Sequence, residues 1–195
     1  MKTTHIPHSD LEVTRLAYGN MRVLGGWDPK QVTDETRATA RQAMTAAYEA
    51  GYTLFDTADI YCHGLCEEVL GETLREVSGM RENVVIATKC GVVLPPPNSD
   101  LSPRYDLSGD YIRTACDASL DRLGIDTIDL YQLHRPDLLM HPESVAAAFD
   151  DLRRAGKVRH FGVSNFRPSL VAALQAACDV PLTVNQVRIS LLARD

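Results

Sequence analysis

Six short apolar runs recur along the chain: LAYG (16–19), TLFD (53–56), VVIAT (84–88), IDLYQL (128–133), RHFGV (159–163) and LTVNQ (182–186). Segments with helical spacing of apolar residues separate them. This alternation is the strongest constraint on the fold. It calls for parallel strands joined by right-handed helical crossovers. The runs are continuous rather than alternating, as a sheet covered on both faces requires.

The intervening helices carry their own punctuation. Ala40, Ala43, Met44 and Ala47 share one face, and Gly51 stands at a C-cap position. Ile112, Cys116, Leu120 and Leu123 form a second stripe, opened by Ser108 as N-cap and closed by Gly124. Val145, Phe149 and Leu152 follow Pro142 at a first helical turn and end before Gly156. Leu170, Leu174 and Ala177 follow Pro168. Ahead of the first run, TTHIPHSDLEVTRL predicts a small hairpin turning at His8-Ser9-Asp10, as a plug or edge outside the parallel sheet.

Two architectures fit this pattern, a doubly wound sheet and a (β/α) barrel. A doubly wound dinucleotide fold asks for G-x-G-x-x-G after its first strand, and the glycines here have no such spacing. Polar residues instead gather where strands end: Asp56, Lys89, His134, Ser164, Asn165 and Gln186. In a barrel those ends converge on one site. The expectation is an α/β chain of the (β/α)8 TIM-barrel type, with about six βα units in a single domain over 1–195 and the barrel incomplete.

With 20 basic and 26 acidic residues the chain has a formal net charge of −6. A nucleic-acid partner needs a concentrated basic surface, so none is expected. The cluster Arg153, Arg154, Lys157, Arg159 and His160 reads as a solvated helix end. No run is long enough to span a membrane, the N-terminus has no apolar leader, and five cysteines suggest a reducing compartment. A cytoplasmic location follows. The one long loop, 94–109, holds four prolines and is a candidate for function.

The chemistry of the strand-end set is coherent. A tyrosine such as Tyr61 is a poor proton donor near neutrality, and a neighbouring ammonium, Lys89, would lower its pKa. That ammonium needs a carboxylate, which Asp56 supplies. A neutral His134 could hydrogen-bond a substrate oxygen. Each residue alone has a plainer reading, as a loop cap, a solvated cation or a core histidine; their coincidence favours protonation of an oxygen while hydride arrives from a cofactor. Asp59 is expected to cap the turn. Cys62, His63, Cys66 and Cys90 lack the paired spacing of a zinc site, so no metal is expected. Cys66 should pack at a helix start, Cys62 should line the pocket mouth, and Cys90, beside Lys89, should be an oxidation-sensitive thiol. No tyrosine is followed by lysine four residues on, and GVSNF lacks the second glycine of a nucleophile elbow.

The segments GYTLFDTADIY with LGETL, ATKCG, LDRLGIDTIDLYQLHRPD, GKVRHFGVSNF and NQVRIS, in that order, resemble the aldo-keto reductase family, from about residue 11 to the last. Within it they are most similar to a bacterial oxidoreductase branch. The resemblance implies a (β/α)8 barrel and a nicotinamide cofactor, usually NADP(H), with NAD(H) as the alternative. It implies Tyr61 as general acid, Lys89 and Asp56 as the groups that tune it, and His134 as the group orienting a small carbonyl substrate. It implies Ser164 and Asn165 at the nicotinamide carboxamide, Gln186 below the ring, and Gly19, Asn20 and Met21 near cofactor and substrate. Trp27 and the 94–109 loop are the expected substrate contacts. A full family member is about a third longer, so this chain is expected to be a fragment, a short product that self-associates through unpaired strand edges, or a non-catalytic remnant that holds nucleotide weakly.

Overall fold

A computed structural model describes residues 1–95 and 99–192. In chain order its elements are β1 (Thr3–His5), β2 (Glu12–Thr14), β3 (Tyr18–Gly19), α1 (Asp34–Glu49), β4 (Leu54–Asp56), α2 (Leu65–Glu76), α3 (Met80–Asn83) and β5 (Val85–Cys90). There follow β6 (Val92–Val93), β7 (Arg104–Tyr105), α4 (Gly109–Leu123), β8 (Ile128–Leu133), α5 (Pro142–Arg154), β9 (Val158–Ser164), α6 (Pro168–Ala177) and β10 (Leu182–Gln186). Six strands form one parallel sheet in the order β3-β4-β5-β8-β9-β10, with a helix in every crossover. The sheet is a curled half-barrel, the architecture expected from the alternation of runs and helices.

Local chemistry sets the element ends. Thr33 caps α1 and exchanges hydrogen bonds with Thr36, and Gly51 follows the helix with φ 89°. Ser108 Oγ accepts from the backbone of Tyr111 at the start of α4, and Gly124 stops that helix in the left-handed region. Pro142 and Pro168 open α5 and α6. One helical position differs from expectation: Ala43 faces solvent, because Ala40, Met44 and Ala47 alone complete the buried stripe of α1.

Two apolar layers hold the sheet. Its outer face packs on the helices, where the rings of Phe149 on α5 and Phe161 on β9 stack at 4.2 Å. Burying a phenylalanine this fully contributes about 2–3 kcal/mol. The inner face carries Val85, Ala87 and Leu130 with Leu54 and Val184, closed at the bottom by Ile6, Leu11 and Val13 of the β1–β2 hairpin. That hairpin pairs Thr3 with Thr14 and turns through His8, at φ 58°. Asp10 in its turn bonds both Arg159 (2.7 Å) and His160 (2.6 Å) of β9. Arg159 also reaches the buried Asp129. Arg159 and His160 therefore belong to a strand that anchors the plug, not to the solvated helix end expected for them, whereas Arg153 and Arg154 sit at the end of α5.

The described distal part of the 94–109 loop carries regular structure. It returns as β7 to pair antiparallel with β6, Val92 opposite Tyr105. Residues 96–98 of that loop lie outside the described residues. Among the described residues no helix is long and apolar enough to cross a membrane.

Candidate active site

Side chains on a strand alternate between faces. On β5, Val85 and Ala87 belong to the inner layer, so Lys89 is the next inward position. On β8, Leu130 is inward, followed by Gln132 and then His134 just past the strand. The same step carries Leu54 to Asp56, Gly162 to Ser164, and Val184 to Gln186. An apolar layer at the bottom thus becomes a polar layer at the C-terminal strand ends: Leu130 lies opposite Ala87, Gln132 opposite Lys89 and, above an irregularity between Leu182 and Val184, Gln186 opposite Ser164. Gly162 lacks a side chain where one would meet Val184 O at 2.8 Å, which lets β9 and β10 close up.

Lys89 is buried, and its Nζ donates to Asp56 Oδ1 and to Thr57 O, both at 2.7 Å. Tyr61 follows on a short 3-10 turn, Tyr61–Gly64, in which Cys62 and His63 are both left-handed (φ 47° and 55°). Two consecutive non-glycine residues in that region mark a strained turn of the kind found at functional sites. Gly64 completes it at φ 91°, and a Cβ there would collide with Arg122. The turn holds the Tyr61 ring 5.3 Å from Lys89 Nζ, edge-on to His134 at 5.7 Å and to Trp27 at 5.8 Å. The His134 backbone donates to Cys90 O (2.8 Å), while its Nδ1 is buried without a partner.

Burial drives His134 down to about 3, helped by the charges of Lys89 and Arg135, so the imidazole is neutral. Burial raises the Tyr61 phenol, and the Asp56 carboxylate raises it further. Lys89 itself is held below its ordinary value by burial, against the pull of Asp56. Against the expectation that the Lys89 ammonium would lower it, the phenol stands raised, because desolvation by burial dominates, and the cation that pulls it down is Arg135. Tyr61 therefore keeps its proton.

Tyr61, Lys89 and His134 wall a cavity of about 460 Å³ that also takes in Met21, Trp27, Ser164, Asn165 and Gln186. Ser164 Oγ donates to Gln186 O (3.0 Å), Asn165 Nδ2 donates to Ser164 Oγ (2.8 Å), and Asn165 is left-handed at φ 60°. The Gln186 side-chain amide has no hydrogen bond among the described residues. Gly19 is exposed at the end of β3 and Asn20 is wholly buried, with its amide unpartnered, so of that trio only Met21 reaches the cavity.

The cysteines differ from expectation. Cys66 packs at the start of α2 as anticipated, but Cys62 is buried in the outer core and does not line the cavity. Cys90 points to the helices, opposite in phase to Lys89, and burial raises its thiol well above the ordinary value, so it is no thiolate. All five thiols are free, and no cluster of three metal-ligating side chains occurs among the described residues. Asp59 meets the Ile60 backbone N–H in the turn, but its carboxyl is driven up to about 8 by burial and by the charge of Glu67.

Two cations on the cavity wall escape sequence reasoning. Arg135 directly follows His134, and Arg188 stands two residues past Gln186. Neither guanidinium has an ion pair among the described residues. Their only signal in the sequence is adjacency to residues already chosen, since strand phase says nothing once the strand has ended.

Residues 15–195 match the model of the Aldo/keto reductase family. The 6-dehydroglucose reductase of Novosphingobium aromaticivorans is 41% identical over 194 residues, which cover 96% of this chain and 59% of that protein. Oxidoreductase YdhF of Escherichia coli is 41% identical over 155 residues, 78% of this chain and 52% of the other. Among solved structures, the glycerol dehydrogenase AKR11B4 of Gluconobacter oxydans superposes with a TM-score of 0.86 at 30% identity, covering 98% of this chain and 56% of that one. The holo form of aldo-keto reductase AKR11C1 from Bacillus halodurans gives 0.82 at 31% identity, covering 97% and 58%. The chain thus spans just under three fifths of the length of the 6-dehydroglucose reductase it matches.

Proposed function

The chain belongs to the aldo/keto reductase family, and from that premise we propose that it reduces an aldehyde or ketone to an alcohol with a nicotinamide cofactor, in the cytoplasm. One observation carries the reading: a protonated Tyr61, a neutral His134 and Lys89, whose ammonium Asp56 holds from behind the wall, meet at one cavity at the C-terminal strand ends.

Their roles follow from charge. The neutral imidazole of His134 donates a hydrogen bond to the substrate carbonyl and orients it. As negative charge builds on that oxygen, the Tyr61 hydroxyl transfers its proton to it. The ring of the phenolate left behind is centred 5.3 Å from the Lys89 ammonium, which lowers the cost of that charge only once it forms. Asp56 keeps the buried ammonium protonated. Trp27 and Met21 present apolar surface to the substrate.

When bound, the nicotinamide cofactor supplies the hydride. The residues that fit its carboxamide are Asn165, Ser164 and Gln186, whose free amide faces the cavity. NADPH is the proposed form, and no residue here is assigned to the adenosine end. Free buried thiols suit a reducing compartment.

The test is a fluorescence titration of the purified chain with NADPH, followed by aldehyde reduction. Micromolar binding with turnover, and turnover lost in Tyr61→Phe while binding persists, is the expected result. No binding into the millimolar range would favour the second reading, a non-catalytic half-barrel.

A further inference from the structure

The protein carries a net charge of −6, yet among the described residues no aspartate or glutamate lines the candidate active-site cavity. Its wall holds three cations instead: Lys89, Arg135 and Arg188. The Lys89 ammonium is engaged by Asp56 and the Thr57 carbonyl. The two guanidiniums have no carboxylate partner, and an arginine left unpaired in a cleft is a ready fork for a bidentate oxyanion.

Position separates the two. The Arg188 backbone N–H donates to Asn165 Oδ1 at 3.4 Å, which places that residue among the groups that fit the nicotinamide. Arg135 instead follows β8, directly after His134, with β9 between its strand and β10. It lines the same cavity as Tyr61 and His134, and its charge acts on both of those rings.

We infer that Arg135 is a specificity-determining residue which binds an oxyanion on the substrate, so that the favoured carbonyl compounds are short aldehydo- or keto-acids whose carboxylate lies a few bonds from the carbonyl. This rests on the reading of the cavity as the carbonyl site and names its substrate class. A neutral carbonyl of the same shape forgoes a charge-assisted fork. It leaves Arg135 without a partner at the moment the cavity closes around the ligand.

The chain offers its own reporter. Trp27 is the only tryptophan in the sequence and lines the same cavity, edge-on to Tyr61, so its fluorescence follows occupancy. The experiment titrates cofactor-free protein with benzoate and with benzamide, which have the same shape and differ in charge. The unaltered chain should bind benzoate roughly tenfold more tightly or better, as expected of a hydrogen bond to a charged group. Arg135→Gln should bring benzoate to the affinity of benzamide and leave benzamide unchanged. Arg188→Gln should keep most of the preference. Arg135 is exposed and unpartnered among the described residues, and an unaltered circular dichroism spectrum would document that the variant folds.

Equal affinity for the two probes in the unaltered chain would overturn the inference. So would a benzoate preference that survives Arg135→Gln, one lost in Arg188→Gln instead, or no saturable benzoate signal at millimolar concentration. NADPH takes no part in the titration. A chain that fails to bind cofactor, and so fails as a reductase, still answers whether Arg135 selects anions.

Discussion

Among single side chains, Asp59 and His134 are ionisable groups that the fold opposes in contrary directions. His134 has its folded value near 3 against an ordinary 6.5. The folded state then binds fewer protons, so the stability tied to the neutral ring is complete above pH 6.5 and is lost as pH falls toward 3. Asp59 is the reverse case, near 8 when folded against 3.8. The folded state holds the proton, so stability is full below pH 3.8 and declines as pH rises toward 8. Its Oδ1 is shut away without a partner, while its backbone N–H donates to Lys89 O at 3.1 Å. Asp59→Asn should therefore stabilise the protein at pH 8 by a few kcal/mol, at about 1.4 kcal/mol per pKa unit, and have almost no effect near pH 4. Urea midpoints measured across that range check it; an equal change at both ends would mean that the carboxyl is not buried in its charged form. Strand phase and residue type placed Asp56 and Lys89 at strand ends in the sequence, and residue type alone offered Tyr61 and His134 just past them. The sequence could not rank their pKa values, since burial, not the neighbouring charge, decides Tyr61 and Cys90.

At the scale of elements, the turn that presents Tyr61 depends on how α2 meets α4. Gly71 on α2 lies against the end of α4, where a Cβ would stand 2.4 Å from Leu123 O. One turn earlier Glu67 is fully buried, accepting from Thr88 of β5 and, at 2.7 Å, from Arg122 of α4. Thr88 immediately precedes Lys89, so this cluster ties both helices to the strand that delivers the ammonium. Alanine usually favours a helix over glycine by up to about 1 kcal/mol. Here the added methyl meets backbone, which cannot rotate away, so Gly71→Ala should destabilise by about 2 kcal/mol. Arg122→Met, which leaves Glu67 buried and unpaired, should cost about 3 kcal/mol. Adding Glu67→Gln should recover part of that loss, and thermal or urea denaturation of the singles and the double reads the coupling. Gain of stability in Gly71→Ala would show that the helices separate freely. Helix ends such as Ser108 and Gly124 were legible because capping is local. The β6–β7 pairing and the Asp10–Arg159 tie were not, because each joins residues distant in sequence whose types alone suggest a proline loop and a solvated charge.

For the whole molecule, the unresolved physical demand is the half-barrel's two edges. Among the described residues β3 and β10 each have a strand on one side only. The inner layer reflects this. Ala87 and Leu130 on the central strands β5 and β8 are shut from solvent, while Leu54 and Val184, on strands nearer the two edges, remain partly open. Beyond β10, Val187, Ile189, Leu191 and Leu192 are exposed in succession. An open edge beside exposed apolar side chains is a template for another strand. We therefore expect this 195-residue chain, expressed alone, to self-associate through the β10 edge, with a sedimentation-derived mass that rises with concentration. Ile189→Lys combined with Leu191→Lys should lower that mass toward the monomer, since lysine at an edge opposes strand addition. Gln42→Lys with Ala46→Lys adds the same two charges on the exposed face of α1 and should leave association unchanged. If both pairs act alike, net charge rather than the edge governs solubility. If the unaltered chain stays monomeric at every concentration, the edges are closed by some arrangement of this chain itself.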